Sequence, residues 1–293
     1  YGDILESSVS RFEQFAACGY AHFLKYGLML KEEEEFSFEA VDMGNVFHAV
    51  LDGFADYLKE RGVTWFQFTK EQSQEYVDKK LTELSVEYGE TILLNSARNS
   101  YILKRMGRIL NRTIETLQYQ LKKGIFEPKA FEIPFSMVKE FDGKTMKVRG
   151  RIDRMDTVEK DGTVYVKVMD YKSGNVKFDP VSLYFGLQMQ LVLYMNSAIL
   201  TEEKKHPDKK VEPAALLYYQ MADPYVERSE EVSSKEQVEE AIHTALRTKG
   251  VLLEDDGVVT MLDGSFEESS DVIPVERKKT GGYKATSSVV TKQ

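Results

Sequence analysis

The stretch Val164–Gly174, VYVKVMDYKSG, has the alternating pattern of a β-strand that ends in a turn. Its three valines occupy every second position, and the alternation continues through Asp170 and Lys172. Because the valine face of such a strand points inward, we expect a carboxylate and an ammonium side by side at the end of an apolar row. Burying either charge alone costs several kcal/mol. The two groups therefore need each other, a metal ion, or both.

Two interpretations of this strand end are open. A structural ion pair that leads into a turn explains it without any function. A functional site is favoured because Asp153 lies on the preceding predicted strand and His48 on a helix of the first half. Gln190 and Tyr194 are also spaced i and i+4 on the following predicted helix, so they share a face. Taken singly, His48 and the Gln190–Tyr194 pair are better explained by packing than by function.

Composition limits the class of protein. The chain has 293 residues and 42% hydrophobic residues, enough for a sizeable core. No apolar run is long enough for a transmembrane helix, and the first thirty residues do not resemble a signal peptide. A single cysteine, Cys18, excludes an intramolecular disulfide and fits a reducing, cytoplasmic environment. Because the sequence begins with Tyr1, we expect a piece of a longer polypeptide.

The formal net charge of −9 argues against a protein that holds nucleic acid by bulk charge alone. It leaves room for an enzyme whose carboxylates bind divalent cations that contact phosphates. The predicted helix over residues 95–123 offers a local basic side, although a solvated face explains it as well. The basic residues of that helix are Arg98, Lys104, Arg105, Arg108, Arg112, Lys122 and Lys123.

The first half of the sequence has helical periodicity. Ser10 and Glu13 have capping-box spacing, which predicts a helix that ends near Gly27. Within it, Cys18 and His22 are at i and i+4, but two ligands are too few for a metal site, and a buried helix thiol is usually a small hydrophobe. Three more helices are predicted, over residues 43–58 with His48 at the edge of the apolar stripe, 70–88 and 95–123.

The second half has the pattern of strands and turns. Strands are predicted over residues 129–138 and 144–158, with Asp-Gly turns at 142–143 and 161–162. After the strand that begins at Val164, we predict a helix over 180–200, a strand over 214–220 and a helix over 235–248. The tail offers strands at 258–262 and 272–275 and a turn at 281–282. This order predicts an α/β fold (mixed α+β), with a mixed sheet covered by helices.

Asp153 and Asp170 lie on neighbouring predicted strands, which are about 4.8 Å apart. Two carboxylates at that spacing can share one divalent cation, and Mg²⁺ prefers such oxygen ligands. The cation makes water a better nucleophile and stabilises charge on a phosphate under attack. Lys172 can orient the water or neutralise the phosphate, and His48 can complete the coordination. The chemistry that these residues permit is phosphodiester hydrolysis.

Together these residues resemble the RecB-type branch of the PD-(D/E)XK nucleases. The motifs that carry the resemblance occur in the family's order: His48 in GNVFH, Asp153 in GRID, Asp170 to Lys172 in MDYKSG, and Gln190 to Tyr194 in QLVLY. The similarity is closer still to the C-terminal nuclease domain of AddB-type subunits of bacterial AddAB helicase–nucleases. It covers most of the chain through SVSRFEQFAAC, AHFLKYGL, SARNSYILKR and FEIPF.

The resemblance implies a restriction-endonuclease-like αβββαβ core preceded by a helical half. It implies that His48, Asp153, Asp170 and the backbone carbonyl of Tyr171 bind Mg²⁺ or Mn²⁺. Lys172 would assist catalysis, supported by Gln190 and Tyr194. The substrate would be single-stranded DNA produced at a double-strand break. The partner would be the AddA subunit, with no membrane involved, and the reaction would serve recombinational repair.

The resemblance also implies a [4Fe–4S] cluster on four cysteines in the full-length protein. Cys18 matches the first of these cysteines, and the other three are absent from the sequence. A single thiolate cannot hold such a cluster. The expected organisation is one nuclease domain over residues 1–293, with a helical part at 1–125, a core at 126–250 and a tail at 251–293. A non-catalytic DNA-binding or scaffolding domain on the same fold is the alternative.

Overall fold

The computed structural model describes residues 4–31, 40–87, 97–227 and 234–291. Across these ranges none of the helices combines the length and the apolar character that a membrane crossing requires. The strands are β1 (Ile4–Ser8), β2 (Glu127–Phe141), β3 (Lys144–Lys160), β4 (Thr163–Lys172), β5 (Lys210–Gln220), β6 (Lys249–Leu253) and β7 (Val289–Val290). The helices are α1 (Val9–Ala17), α2 (Gly19–His22), α3 (Ala40–Glu60), α4 (Lys70–Glu87), α5 (Ala97–Lys123), α6 (Pro180–Tyr184), α7 (Gln190–Lys205), α8 (Lys235–Ala245) and α9 (Asp256–Leu262), with a short π-helix at Phe23–Gly27.

The chain folds into two compact units that alternate along the sequence. The first unit comprises Tyr1–Ser37, Pro128–Asp170 and Lys177–Leu217. The second comprises Phe38–Glu127, Tyr171–Val176 and Tyr218–Gln293. The single nuclease domain expected from the sequence, with its division at residues 125 and 250, stays a prediction.

The seven strands form a mixed sheet, which confirms the predicted fold class. The strand order is β1–β3–β4–β5–β6–β7, and β2 pairs with β3. β3 and β4 are antiparallel, whereas β1 runs parallel to β3. The predicted meander of three strands is therefore present. Its two Asp-Gly turns have positive φ at both positions, as two-residue hairpin turns require.

Helix α3 provides much of the core of the second unit. The apolar stripe that predicts this helix is buried, and Phe54 at its centre is fully inaccessible. Three rings from the following segment and α4 pack around Phe54, with centroids 5.1–5.3 Å away: Trp65, Phe68 and Tyr76. Edge-to-face and tilted aromatic contacts of this kind add to the free energy of burial. The helix that carries His48 is thus held by its own hydrophobic face.

The N-terminal helix differs from the sequence prediction. It begins two residues earlier than expected, because Ser8 rather than Ser10 is the N-cap and its Oγ accepts a hydrogen bond from Arg11 N at 3.3 Å. It is also interrupted at Cys18, whose extended backbone ends α1 and begins α2. Strand β1, which ends at Ser8, was not predicted. Its pairing with β3 is a long-range contact that five residues of sequence do not reveal.

The prediction of a single helix over residues 180–200 is wrong. The segment forms α6 and α7, which are separated by a loop at 185–189. Gly186 lies in this loop with φ of +75°, a conformation that a helix cannot contain and that glycine adopts at little cost. Apolar residues continue across the break, so the sequence pattern does not reveal it.

The tail also differs from the prediction. Residues 258–262 belong to helix α9 rather than a strand, because Asp255 caps this helix by accepting a hydrogen bond from Val258 N at 3.0 Å. Residues 272–275 are largely buried but form none of the named strands of the described chain. The turn at Gly281–Gly282 is present, with positive φ at both residues.

A buried ion triad joins β3 and β4 within the first unit. Arg154 donates two hydrogen bonds to Asp156, at 2.6 and 2.7 Å, and Lys167 Nζ lies 2.7 Å from the same carboxylate. Burial opposes ionisation of Asp156, but the two cations outweigh it and lower the pKa of this carboxyl below its ordinary value. Burial lowers the pKa of Lys167. The triad is a structural network that the sequence pattern did not indicate.

We predict that Asp156→Ala destabilises the fold by roughly 3–5 kcal/mol, because it leaves two cations buried without their carboxylate. Urea unfolding followed by circular dichroism measures this free energy. Replacing the whole triad by Met, Leu and Met should cost much less than the single substitution, since no charge is then left uncompensated.

The control is Glu159→Ala, which breaks an exposed ion pair between β3 and Lys209 and should leave the unfolding midpoint almost unchanged. An Asp156→Ala variant as stable as this control, or a triad replacement less stable than the single variant, would contradict the interpretation.

Candidate active site

Asp153 and Asp170 lie at the same end of the β3–β4 ladder. The last residue pair of the ladder at this end is Arg154 with Met169, so the next position on each strand is an aspartate. Both carboxylates therefore project to the same face of the sheet, opposite to the Arg154 face. Directly opposed residues of an antiparallel pair have Cβ atoms about 4.5–5.5 Å apart. Asp153 is 7% exposed and Asp170 1%, so both negative charges lie where water contributes little screening.

A third carboxylate, Glu132 on β2, lies beside Asp153, and Asp170 is not part of the acidic group that these two residues form. A carboxylate oxygen of Glu132 is within 4.8 Å of an oxygen of Asp153, a spacing that a divalent cation can bridge. Glu132 has φ of +46°, which is unfavourable for a residue with a Cβ. Arg151 Nη1 lies 3.3 Å from its carboxylate. The sequence motifs did not reveal Glu132 as a site residue, although it lies in the FEIPF stretch that supported the resemblance.

Helix α7 carries Gln190 and Tyr194, and the Tyr194 phenol is within electrostatic reach of both aspartates. Gln190 Nε2 donates to Tyr194 Oη at 2.6 Å, so the two side chains share a helix face, as their i and i+4 spacing predicts. Burial raises the pKa of the Tyr194 phenol well above its ordinary value. The Gln190 hydrogen bond lowers it only in part, and the charges of Asp170 and Asp153 raise it further. The phenol therefore stays protonated near neutral pH, with a hydroxyl available beside two carboxylates.

Two contacts fix the position of α7. Glu13 on α1 accepts hydrogen bonds from the backbone N–H groups of Met189, at 2.8 Å, and Gln190, at 3.1 Å. A carboxylate at a helix N-terminus satisfies orphan donors and complements the helix dipole. Phe135 on β2 packs edge-on against Tyr194, with ring centroids 5.5 Å apart. That ring lies over Gly150, where an added Cβ would approach it to 2.5 Å, so only glycine leaves room for it.

The second unit holds the other predicted site residues. The His48 ring packs edge-on against the Tyr171 ring, with centroids 6.1 Å apart. Lys172, the last residue of β4, is half-buried, and its Nζ lies 5.7 Å from the Tyr218 ring centroid. Its backbone carbonyl accepts a hydrogen bond from Met221 N at 2.8 Å. Strand β4 therefore continues beyond Asp170 to Tyr171 and Lys172, the two residues that the resemblance implicates.

Two arginines of helix α5 are paired with acidic side chains. A groove of about 800 Å³ lies along the described part of the helix, and both arginines line it. Arg108 pairs with Asp223 at 3.2 Å and Arg112 with Glu239 at 2.7 Å. Lys70 of α4 also has a partner across the groove, since its Nζ lies 3.0 Å from Glu115. These pairs favour the interpretation of this face as a solvated, internally neutralised surface.

Cys18 and His22 do not form a metal site in the described part of the chain. Cys18 is exposed, and its Sγ accepts a hydrogen bond from Ala21 N at 3.4 Å as the cap of α2. His22 Nε2 accepts from Arg11 Nε at 3.2 Å. A single exposed thiol does not fit a four-thiolate cluster.

Comparison with known proteins places this sequence in a family. The sequence matches the PD-(D/E)XK nuclease superfamily over residues 6–269. It is 38% identical over 302 residues to AddB, a subunit of the ATP-dependent helicase/deoxyribonuclease, from Lachnoclostridium phytofermentans. The proteins of the same name from Clostridium acetobutylicum and Clostridium botulinum are 37% and 36% identical over 301 and 302 residues. Each alignment covers 100% of this chain and 26% of the relative, so the chain spans about a quarter of their length.

The similarity extends across the strands and helices that position the aspartate pair. PD-(D/E)XK nucleases use divalent metal ions, and the carboxylates of Asp153 and Glu132 form an acidic site that could hold one. The D-x-K spacing of Asp170 and Lys172 corresponds to the end of the family's signature. This chain belongs to the PD-(D/E)XK nuclease superfamily and is similar over its whole length to part of the AddB helicase/deoxyribonuclease proteins.

Proposed function

We propose that this chain is a Mg²⁺-dependent exonuclease domain that hydrolyses phosphodiester bonds of single-stranded DNA. The observation that carries the proposal is the placement of Asp153 and Asp170 on one sheet face at adjacent strand positions, both almost fully buried. Membership of a nuclease superfamily and the word deoxyribonuclease in the names of the relatives support it.

The candidate ligand atoms, which are mainly carboxylate oxygens, suit a divalent cation. Carboxylate oxygens are hard ligands of the kind that Mg²⁺ and Mn²⁺ prefer. Glu132 and Asp153 present oxygens within 4.8 Å of each other, and the charge of Asp170 acts on the same Tyr194 phenol as that of Asp153. In the proposal Asp153, Asp170, the Tyr171 carbonyl and His48 hold the metal. When bound, the metal activates water and stabilises negative charge on the phosphate.

The remaining residues act on the substrate and the water. Lys172 carries an ammonium two residues after Asp170, and we assign it to orienting the attacking water or neutralising the phosphate under attack. Tyr194 remains protonated near neutral pH, so its hydroxyl can donate a hydrogen bond to a phosphate oxygen. Gln190 fixes the orientation of that hydroxyl at 2.6 Å. Glu13 and Phe135 keep both side chains in place.

The proposal extends to the whole protein of which this chain forms a part. The relatives are subunits of a helicase/deoxyribonuclease, so we propose an AddA-type partner subunit, broken double-stranded DNA as the ultimate substrate, a role in recombinational repair and a place in the bacterial cytoplasm. A [4Fe–4S] cluster does not fit the one cysteine of this sequence. Cys18 could contribute one ligand only in a longer polypeptide that supplies the other three.

We predict that Asp170→Asn and Lys172→Ala each reduce degradation of a labelled single-stranded oligonucleotide by at least roughly 10²-fold. Asp170→Asn keeps the size of the side chain and removes its charge, so it tests metal binding with little change in packing. Wild-type activity should require Mg²⁺ and disappear in EDTA.

Matched controls on the exposed surface of the first unit are Glu159→Gln and Lys209→Ala, which should retain wild-type activity. If both site variants degrade DNA like these controls, the assignment of the site is wrong. A wild-type protein that binds the oligonucleotide in Mg²⁺ and never cleaves it would instead support the alternative, a non-catalytic DNA-binding domain.

We also predict that Glu132→Gln weakens binding of Mn²⁺ by about tenfold or more, because a negative charge within 4.8 Å of Asp153 is lost. Isothermal titration calorimetry with Mn²⁺ measures this affinity independently of activity. Glu140→Gln, an exposed carboxylate on the same strand, is the control. Equal affinity in the two variants would remove Glu132 from the metal site.

A further inference from the structure

Tyr184 and Phe185, at the end of α6, expose two aromatic rings in the first unit. Tyr184 is 84% exposed and Phe185 64%. Their ring centroids are 5.2 Å apart and the planes are nearly perpendicular, at 85°. Exposed aromatic rings contribute little to the stability of the fold, and such exposed apolar surface is typical of binding sites.

The segment that carries these rings, residues 177–188, includes α6 and the start of the loop after it, and several hydrogen bonds hold it in place. Asp179 accepts from the backbone of Val181 at 3.0 Å and of Ser182 at 3.2 Å, and from Ser182 Oγ at 2.6 Å. Gln188, in the loop after α6, is joined to the segment before α6, since its Oε1 accepts from Asp179 N and its Nε2 donates to Lys177 O, both at 2.9 Å. The rings are therefore presented by an ordered segment, which reduces the entropy lost on binding.

The loop is continuous with the candidate active site. Gly186, directly after the two rings, lies against α1, where an added Cβ would be 3.4 Å from the Ala16 Cβ. Three residues further on, the backbone N–H groups of Met189 and Gln190 donate to Glu13 on the same helix. Gln190 in turn donates to Tyr194 Oη at 2.6 Å. One short segment thus connects the exposed rings to the residues that we assign to phosphate chemistry.

We propose that Tyr184 and Phe185 form a stacking platform for the bases of single-stranded DNA, which positions the strand for hydrolysis. This inference rests on the proposed function and adds a positioning surface to it. Aromatic side chains bind bases of any sequence through their π-faces, as a nuclease without base preference requires. The bases of a duplex are stacked on each other and cannot reach such a platform, so it would favour single strands. Lys177, exposed at the base of the loop, adds a cation for the phosphates.

The first test is binding of a fluorescein-labelled 20-mer of deoxythymidylate, measured by fluorescence anisotropy in EDTA so that no cleavage occurs. We expect the double variant Tyr184→Ala/Phe185→Ala to bind at least roughly tenfold more weakly than the wild type. Tyr225→Ala removes an equally exposed tyrosine, at 86%, and should not change the affinity. Wild-type protein that does not bind the oligonucleotide would overturn the proposal.

A second pair of measurements separates stacking from other contacts. A strand of the same length with abasic sites in place of its bases should bind wild-type and double-variant proteins equally weakly. Tyr184→Leu/Phe185→Leu keeps apolar side chains and should bind the intact strand as weakly as the alanine variant, whereas Tyr184→Trp/Phe185→Tyr should restore affinity. Wild-type affinity in the leucine variant would indicate a general apolar surface, suited to a protein partner, and would contradict stacking.

Cleavage kinetics in Mg²⁺ distinguish failure of this proposal from failure of the proposed function. The platform variant should raise KM about tenfold with kcat nearly unchanged, because the groups that act on the phosphate are intact. If the wild type cleaves DNA and the platform variant changes neither Kd nor KM, the platform is wrong and the nuclease assignment stands. If the wild type binds DNA through the platform without cleaving it, the nuclease assignment fails and the platform stands.

Discussion

The burial of two carboxylates near the same end of adjacent strands is the constraint from which our account of this protein starts. Asp153 and Asp170 follow the Arg154–Met169 pair of the β3–β4 ladder, and each is less than a tenth exposed. Like charges opposed across an antiparallel pair are destabilising, and low exposure leaves little water to screen them. A cation bound between the two carboxylates would compensate their mutual repulsion. We therefore propose that this pair holds a cation, and members of the superfamily to which the chain belongs use divalent metal ions.

The other features of the first unit position groups around this pair. In the Arg154–Asp156–Lys167 triad two cations surround one carboxylate on the opposite sheet face, so the two faces of the same strands have different electrostatic roles. Glu13 anchors the N-terminus of α7 and thereby directs Tyr194 toward the aspartates. Glu132 adds a carboxylate from a backbone conformation that is strained for a residue with a side chain. Such strain is common at functional sites, where the surrounding structure maintains it.

Much of this organisation is predictable because it is local. Alternating apolar residues predict β4, Asp-Gly turns predict the two hairpins, and the stripe from Met43 to Leu58 predicts the helix that carries His48. The identity of the candidate site came from recognising family motifs in order, since neither strand alone distinguishes a metal site from a structural ion pair. The i and i+4 spacing correctly predicted that Gln190 and Tyr194 share a helix face, whereas their hydrogen bond to each other was not predicted.

The features that sequence patterns missed depend on tertiary contacts. β1 exists because it pairs with β3, and the break between α6 and α7 follows from the conformation of Gly186, which apolar periodicity does not encode. Residues 258–262 are rich in β-branched residues, yet the Asp255 cap and burial produce a helix. Glu132 was missed because its relevance comes from proximity to Asp153, on a strand where a single glutamate carries no local signal.

The central claim is that Asp153 and Asp170 together hold one divalent cation. The most direct test is a crystal structure of the wild-type protein soaked in Mn²⁺, with data collected at the manganese absorption edge. We expect an anomalous peak within about 2.0–2.3 Å of an oxygen of each aspartate. A peak bound elsewhere, or an aspartate pair bridged only by protein cations with no peak, would contradict the claim.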